Sequence, residues 1–242
     1  MEPLVVFEDR HLLVVQKPPL WLAQSDGGQR PDLLAWARSY IEVTGHKPGR
    51  AYVGLCHRLD LAVGGLLVLA KTSKAAQRIN KEFATRTVGK YYLALVLGEP
   101  KESGRLINDL YRDGRLTRLA QDQEKGSRAE LSYQVVAQGL FQKEKAALLS
   151  VKLKTGFKHQ IRTQLAILGY PIVGDWLYGG LAGPSTVIGL WAYRLELTHP
   201  ITKDRLTFMA WPPLDWPWSD WRGPDLASLD WSEPVVTDLS LV

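Results

Sequence analysis

With 242 residues, 45% hydrophobic and 23% charged, the chain has the size and balance of one large soluble domain or two small ones, able to bury roughly three quarters of its unfolded surface without staples. No run approaches the ~20 apolar residues of a membrane helix, and the opening MEPLVVFEDRHLLVVQKPP carries acids where a signal peptide carries bases; a membrane span is excluded and a cytoplasmic location is expected. The lone Cys56 excludes a disulfide framework, the five histidines lack the close spacing of zinc ligands, so no metal is expected, and a net charge of +5 suits a polyanionic partner without identifying one.

In chain order, apolar Leu4 to Phe7, polar Glu8-Asp9-Arg10 and apolar Leu12 to Val15 predict a hairpin that ends at Lys17-Pro18-Pro19. Pro31 opens a helix over about 31 to 43, with Leu33, Leu34, Ala37, Tyr40 and Ile41 on one face. A glycine- and base-rich connection, His46 to Arg50, leads to a short strand at Tyr52 to Leu55, and Gly65 to Ala70 reads as a buried strand. Ser73 is placed as the N-cap of a helix whose inner face is Ala76, Ile79 and Phe83, and Tyr91 to Leu97 follows as another buried strand. The polar, basic stretch from Lys101 to Arg128 has little periodicity and reads as an extended surface insertion, either touching a ligand or merely a loop. Strands are expected at Leu131 to Val136 and Leu148 to Lys154, then a helix from near Lys158 with Ile161, Leu165 and Leu168 inward and Gly169 just past its end. The last strands fall at Trp191 to Thr198 and Leu206 to Ala210. Residues 1–213 are taken as one catalytic domain and 214–242 as a tail rich in Trp, Asp and Pro, whose Trp216, Trp218, Trp221 and Trp231 suit clamping onto the domain.

Several segments hold groups suited to chemistry. His57-Arg58-Leu59-Asp60 sets an acid among bases where a strand gives way to a loop, a place where an aspartate also serves as a turn residue or ion-pair partner. Lys154 to Arg162 again leads from strand to helix; Gly156 permits close backbone approach and the helix start offers N–H groups to a phosphate, although a solvated basic face reads equally well. In Lys90-Tyr91-Tyr92-Leu93-Ala94 the two tyrosines face opposite sides of a strand, one toward the core and the other available to a cleft. The glycines of Gly169 to Gly179 serve a tight turn.

In this order the segments resemble the RluA family of pseudouridine synthases, from about Leu4 to Pro213. The matching residues are HRLD at 57–60, GLLVLAK at 65–71, KYYLA at 90–94, HQIR at 159–162, GYPIVGD at 169–175, YGG at 178–180, and GLWAYRLELTHP from Gly189 to Pro200. The resemblance implies an α+β fold, a mixed and largely antiparallel sheet with flanking helices and a central RNA-binding cleft. It implies isomerisation of uridine to pseudouridine in structured RNA, transfer or ribosomal, by a monomer without a cofactor. Asp60 would be the essential carboxylate, Tyr92 would contact the uracil and help remove its carbon-5 proton, and Arg162 would pair with Asp60. Arg58 would help displace the target base, with Leu190 lining the pocket and His57 beside the substrate; Lys90, Lys154, Lys158, His159 and Gln160 would face RNA, with Arg115 near its phosphates. The family's extra N-terminal RNA-binding domain is expected to be absent.

The reaction breaks the bond between nitrogen and ribose, rotates the uracil and rejoins it through carbon 5 without redox change. An ionised carboxylate assists by attacking the base, by attacking the sugar or by removing a sugar proton, and the residues do not choose among these. An arginine fork on Asp60 would favour its charged form and fix its position. Extruding the uridine costs a few kcal/mol, and stacking worth roughly 1–3 kcal/mol on Tyr92 offsets much of it. Three residues depart from the family pattern: Val63 and Gly64 lack two customary hydroxyls, and Phe157 replaces an arginine. They motivate a rival reading, an RNA-binding protein with impaired catalysis. A nucleoside or glycoside hydrolase ranks last, because Glu82 and Asp109 read as surface residues and no second catalytic acid is evident.

Overall fold

The computed structural model describes residues 1–45, 51–121, 125–183 and 185–224. The connection His46 to Arg50 and Trp231 lie outside the described residues. The chain divides into two compact units, one made of Met1–Gly89 and Ala192–Pro212, the other of Lys90–Trp191 and the residues from Pro213 on.

In the first unit, β1 (Leu4–Glu8) and β2 (Leu12–Lys17) form the expected hairpin. Asp9 closes it, its Oδ1 accepting the N–H of His11 at 2.7 Å and of Leu12 at 2.6 Å, while Oδ2 lies 2.8 Å from Nε2 of His199. Burial works against ionisation of Asp9, but those two N–H groups and His199 outweigh it and hold its carboxyl below the usual range. Antiparallel β4 (Gly64–Ala70) lies on β2 with Lys17 opposite Gly65; β3 is reduced to Gly54–Leu55 on the other edge of β4. β10 (Leu190–Thr198), of which the residues from Ala192 on belong here, neighbours β4 and carries β11 (Arg205–Met209). Gly65 has φ +116°, and a Cβ there would stand 2.3 Å from the Ala192 carbonyl oxygen, so this close crossing requires glycine.

Helix α1 (Leu33–Thr44) starts two residues after Pro31, with Asp32 as the N-cap accepting the Ala35 N–H at 2.9 Å. Helix α2 (Ser73–Ala84) is capped by Thr72, not Ser73: the Thr72 hydroxyl accepts the Ala75 N–H, so Ser73 is the first helical residue. Ile79 of α2 joins Leu12, Val14, Leu66, Val68, Leu195 and Leu197 in one core. Burying a Leu or Val side chain contributes roughly 1.5–3 kcal/mol, so this cluster contributes substantially to the unit's stability.

The second unit is an antiparallel sheet in the order β5 (Gly89–Leu97), β9 (Glu144–Leu153), β8 (Ser127–Phe141), β6 (Ser103–Asp113), β7 (Leu116–Leu119). The stretch expected as an irregular insertion is thus mostly a β-hairpin, β6 to β7, laid on β8. Its alternation escapes a hydropathy reading because β6 fills its half-buried positions with Gly104, Leu106 and Asn108 while Ile107 points to solvent. Helix α3 (Gln160–Ile167) buries Ile161 and Leu165 as expected, but Leu168 lies past its end and is exposed. Gly169 has φ +92° and its N–H and that of Tyr170 bond the carbonyls of Ala166 and Leu165, closing the helix.

The tail as far as Pro224 packs on this unit. β12 (Trp221–Arg222) pairs with β8, Trp218 and Trp221 are buried, and the Trp216 ring lies so near Gly174 and Gly183 that a Cβ on either would strike it. Both units are thus largely antiparallel sheet flanked by helices, and Leu22 and Asp32 form a parallel bridge in the first.

Candidate active site

In the first unit Asp60 opens a turn: the Val63 N–H bonds its main-chain carbonyl at 3.1 Å, the place in a β-turn that favours aspartate. Asp60 is half-buried, Leu59 before it is buried, and Arg58 is exposed. His57 anchors the loop from the other side. Its Nε2 accepts the Val68 N–H at 3.0 Å, and its ring stacks on Phe83 of α2 at 4.7 Å between centroids. That ring supports the loop through β4 and α2, a framework duty that the expected substrate contact did not foresee.

Lys17 was not singled out by sequence, yet its side chain is fully buried at the end of β2. Nζ donates to the carbonyls of Pro18 at 2.8 Å and Trp21 at 2.9 Å. Burial pushes this ammonium down to about 7, against the opposing attraction of the Asp60 charge.

In the second unit Tyr91 and Tyr92 leave β5 on opposite faces, and both are buried, Tyr91 at 1% exposure with the Lys152 ammonium 5.1 Å from its ring centre and Tyr92 at 8%. Lys90 Nζ donates to the Thr155 carbonyl at 3.1 Å. Leu190 is buried at the start of β10.

Arg162 is 7% exposed and forms a two-pronged pair with Asp175, itself 1% exposed: Nε reaches Oδ2 at 2.6 Å and Nη2 reaches Oδ1 at 2.8 Å. The Tyr178 ring covers the guanidinium at 5.1 Å, and the Tyr178 hydroxyl accepts the Thr117 N–H at 2.8 Å and lies 2.9 Å from Nδ1 of His159. The turn from Gly169 to Gly179 thus supplies a buried counter-ion as well as architecture. The sequence signal was Gly174-Asp175 followed by Tyr178, an acid and an aromatic just after a helix bearing a buried arginine.

The RNA-facing set divides. Gln160 is a correction: at 2% exposure its amide is consumed in a network, Oε1 accepting from the Thr155 hydroxyl and Phe157 N–H, Nε2 donating to the Glu130 carbonyl. It braces the strand-to-helix turn. Lys154 is exposed but donates to Glu130 at 3.1 Å beside Arg105; burial opposes ionisation of Glu130, and these two cations overcome it and lower its carboxyl. Lys158 is exposed and reaches the Arg115 carbonyl at 3.3 Å. His159, at φ +53°, turns the chain into α3. Among the described residues no group of three acidic, histidine or cysteine side chains is arranged to hold a metal ion.

Residues 11–167, a span containing Asp60, Tyr92 and Arg162, match the model of the RNA pseudouridylate synthase family. The chain belongs to that family. It is 35% identical over 209 residues to ribosomal large subunit pseudouridine synthase D of Nitrosomonas europaea, an alignment covering 81% of this chain and 58% of that protein, so it spans little more than half the length of that relative. It is 29% identical to tRNA pseudouridine synthase C of Yersinia pestis, across 88% of this chain and 87% of the other. The fold matches the structure of human RNA pseudouridylate synthase domain containing 1 with a TM-score of 0.73 over 92% of this chain and 89% of that one, at 23% identity.

Proposed function

We propose that the chain isomerises uridine to pseudouridine in structured RNA, ribosomal or transfer, with Asp60 as the essential carboxylate. The observation that carries this is the family match over residues 11–167, which takes in Asp60, Tyr92 and Arg162 in one alignment. The relatives' names point to both RNA classes. Arg162 serves as the catalytic arginine, and the Asp175 fork, which engages its Nε and Nη2, sets the direction of its guanidinium. Tyr92 offers its ring to the extruded uracil, and Arg58, exposed two residues before Asp60, takes the displaced base's place.

The departures from the family pattern are compatible with activity. The Asp60 turn is closed by the backbone N–H of Val63, so it does not depend on hydroxyls at 63 and 64. Phe157 contributes its N–H to the Gln160 brace, which any residue but proline supplies.

Incubating the purified protein with uridine-labelled ribosomal and transfer RNA tests the reading. Pseudouridine forms and no free uracil is released; RNA binding without pseudouridine from either pool would make it a non-catalytic binder, and free uracil would make it a hydrolase. RNA affinity falls linearly in log salt, with a slope near −0.7 for each phosphate neutralised on a single strand. Lys158→Ala lowers the slope's magnitude by about one such increment, whereas Lys154→Ala, already engaged by Glu130, lowers it less. Affinity indifferent to salt contradicts this picture.

A further inference from the structure

In the second unit β7 is the last strand of the sheet order. Between its outer edge on one side and α3 with the short turn Trp176–Tyr178 on the other lies a cleft of about 650 Å³, within the size range of pockets that enclose a small organic ligand. One wall is shared with the site described above. Tyr178, whose ring covers the Arg162 guanidinium, also lines the cleft, and its hydroxyl ties it to β7 through the Thr117 N–H. Thr163, Ala166 and Ile167, spaced three and four apart, turn one face of α3 to the cleft, and Ile167 is left exposed there.

The chemistry of the lining suits one kind of occupant. Tyr111 of β6 and Arg118 of β7 stand opposite each other in the ladder and both line the cleft, which sets an aromatic ring beside a guanidinium. Gln121, just beyond β7, adds an amide. Asp113 also lines the cleft and accepts from Arg118 Nε at 2.7 Å, but both side chains are about half exposed, and so exposed a pair is weak enough to yield to a phosphate. Around the cleft Arg112, Arg115 and Lys158 add positive charge against Asp109 and Asp113, which favours a polyanion. A polyanion whose units each carry a flat face, a hydrogen-bonding edge and a phosphate engages ring, amide and guanidinium together.

We propose that this cleft binds one nucleotide of the substrate RNA other than the uridine that reacts: its base stacks on Tyr111, Gln121 bonds the base edge and Arg118 takes a phosphate. This rests on the reading of the chain as an RNA pseudouridine synthase. Because Tyr178 is a wall of the cleft and also packs on Arg162, a nucleotide seated here sets the register of the strand relative to the reacting uridine.

The test uses the full chain as wild type, Tyr111→Phe, Tyr111→Ala and Arg118→Ala, with transcripts of ribosomal and transfer RNA as probes. In the wild type, hydroxyl-radical footprinting read by mass spectrometry shows Tyr111, Leu119 and Ile167 losing their oxidation when RNA is bound. Tyr111→Ala weakens RNA binding at least about fivefold, the effect of losing one base–aromatic stack, while Tyr111→Phe, which keeps the ring, stays within about twofold. Arg118→Ala reduces the magnitude of the salt slope by about 0.7, one phosphate on a single strand. Side chains of the cleft that oxidise equally with and without RNA overturn the proposal whether or not the Ala variant of Tyr111 folds, and so does wild-type affinity and salt slope in Arg118→Ala. RNA bound with the cleft protected but no pseudouridine formed removes the catalytic reading alone. Pseudouridine formed with the cleft unprotected removes the nucleotide subsite alone.

Discussion

Asp60→Asn abolishes pseudouridine formation without unfolding the protein. The turn around Asp60 is closed through its main-chain carbonyl, and its neighbours are held by His57 on Val68 and by Leu20 on Leu61, none of which needs the carboxylate. Asparagine keeps the volume and one acceptor oxygen but cannot act as a nucleophile or as a base. A loss of at least about 10⁴-fold in kcat is expected, the scale on which removing an essential catalytic group acts. RNA affinity stays within a few-fold, because phosphate contacts supply most of the binding energy and do not involve this side chain. A variant retaining a tenth of the wild-type rate would show that Asp60 is auxiliary, and would shift attention to the other polar groups of the same loop.

The second large effect lies at Asp175. Asp175→Ala removes both acceptors of a fork from a guanidinium that is 7% exposed, and breaking a buried pair of this kind costs about 3–5 kcal/mol. For a chain of this size the thermal midpoint falls by roughly 2–4 °C per kcal/mol, a drop plainly visible in calorimetry. Activity falls as well, because Arg162 loses the contact that aims it. The double variant Asp175→Ala, Arg162→Met separates the two consequences: with the buried charge gone, stability recovers most of the loss, while activity does not return. Recovery of both would make Arg162 a structural residue with no part in the reaction. A midpoint unchanged in the single variant would mean that the fork contributes nothing to stability.

The sequence made legible what depends on local chemistry and ordered motifs. The hairpin at the start, the buried strand before Lys71, the helix after Lys158 with Gly169 behind it, and the Asp60 loop all stand close to where composition and spacing put them. The shortfalls have physical reasons. Ser73 and Thr72 are both good caps, and the choice rests on which residue adopts extended backbone, here Thr72 at φ −141° and ψ 150°. The β6–β7 hairpin hides in a polar stretch because half of each strand faces solvent and glycine and asparagine occupy its inner positions. Gln160 reads as an RNA ligand beside His159 and Arg162, but its burial follows from where Glu130 and Thr155 on other strands place their polar groups, which no local pattern encodes. Lys17 was hidden for the same reason. Next to two prolines it reads as an ordinary end to a strand, and only the return of residues 60–65 onto β2 makes it a buried cation.

Asp175 shows the converse: its motif is plain in the sequence, but its duty as a counter-ion is not. Gly174 has φ +81° and does shape the turn, so the architectural account of the glycines stands, but the acid beside it is Arg162's buried counter-ion. The identity of a motif carries less than the partner each of its residues finds.

Mapping pseudouridine across total RNA from cells with the intact gene, without it, and with the Asp60→Asn allele tests the central claim most directly. Specific ribosomal or transfer RNA positions carry pseudouridine with the intact gene and uridine in both other strains. Identical maps in all three, or modification retained with the Asp60→Asn allele, would contradict it.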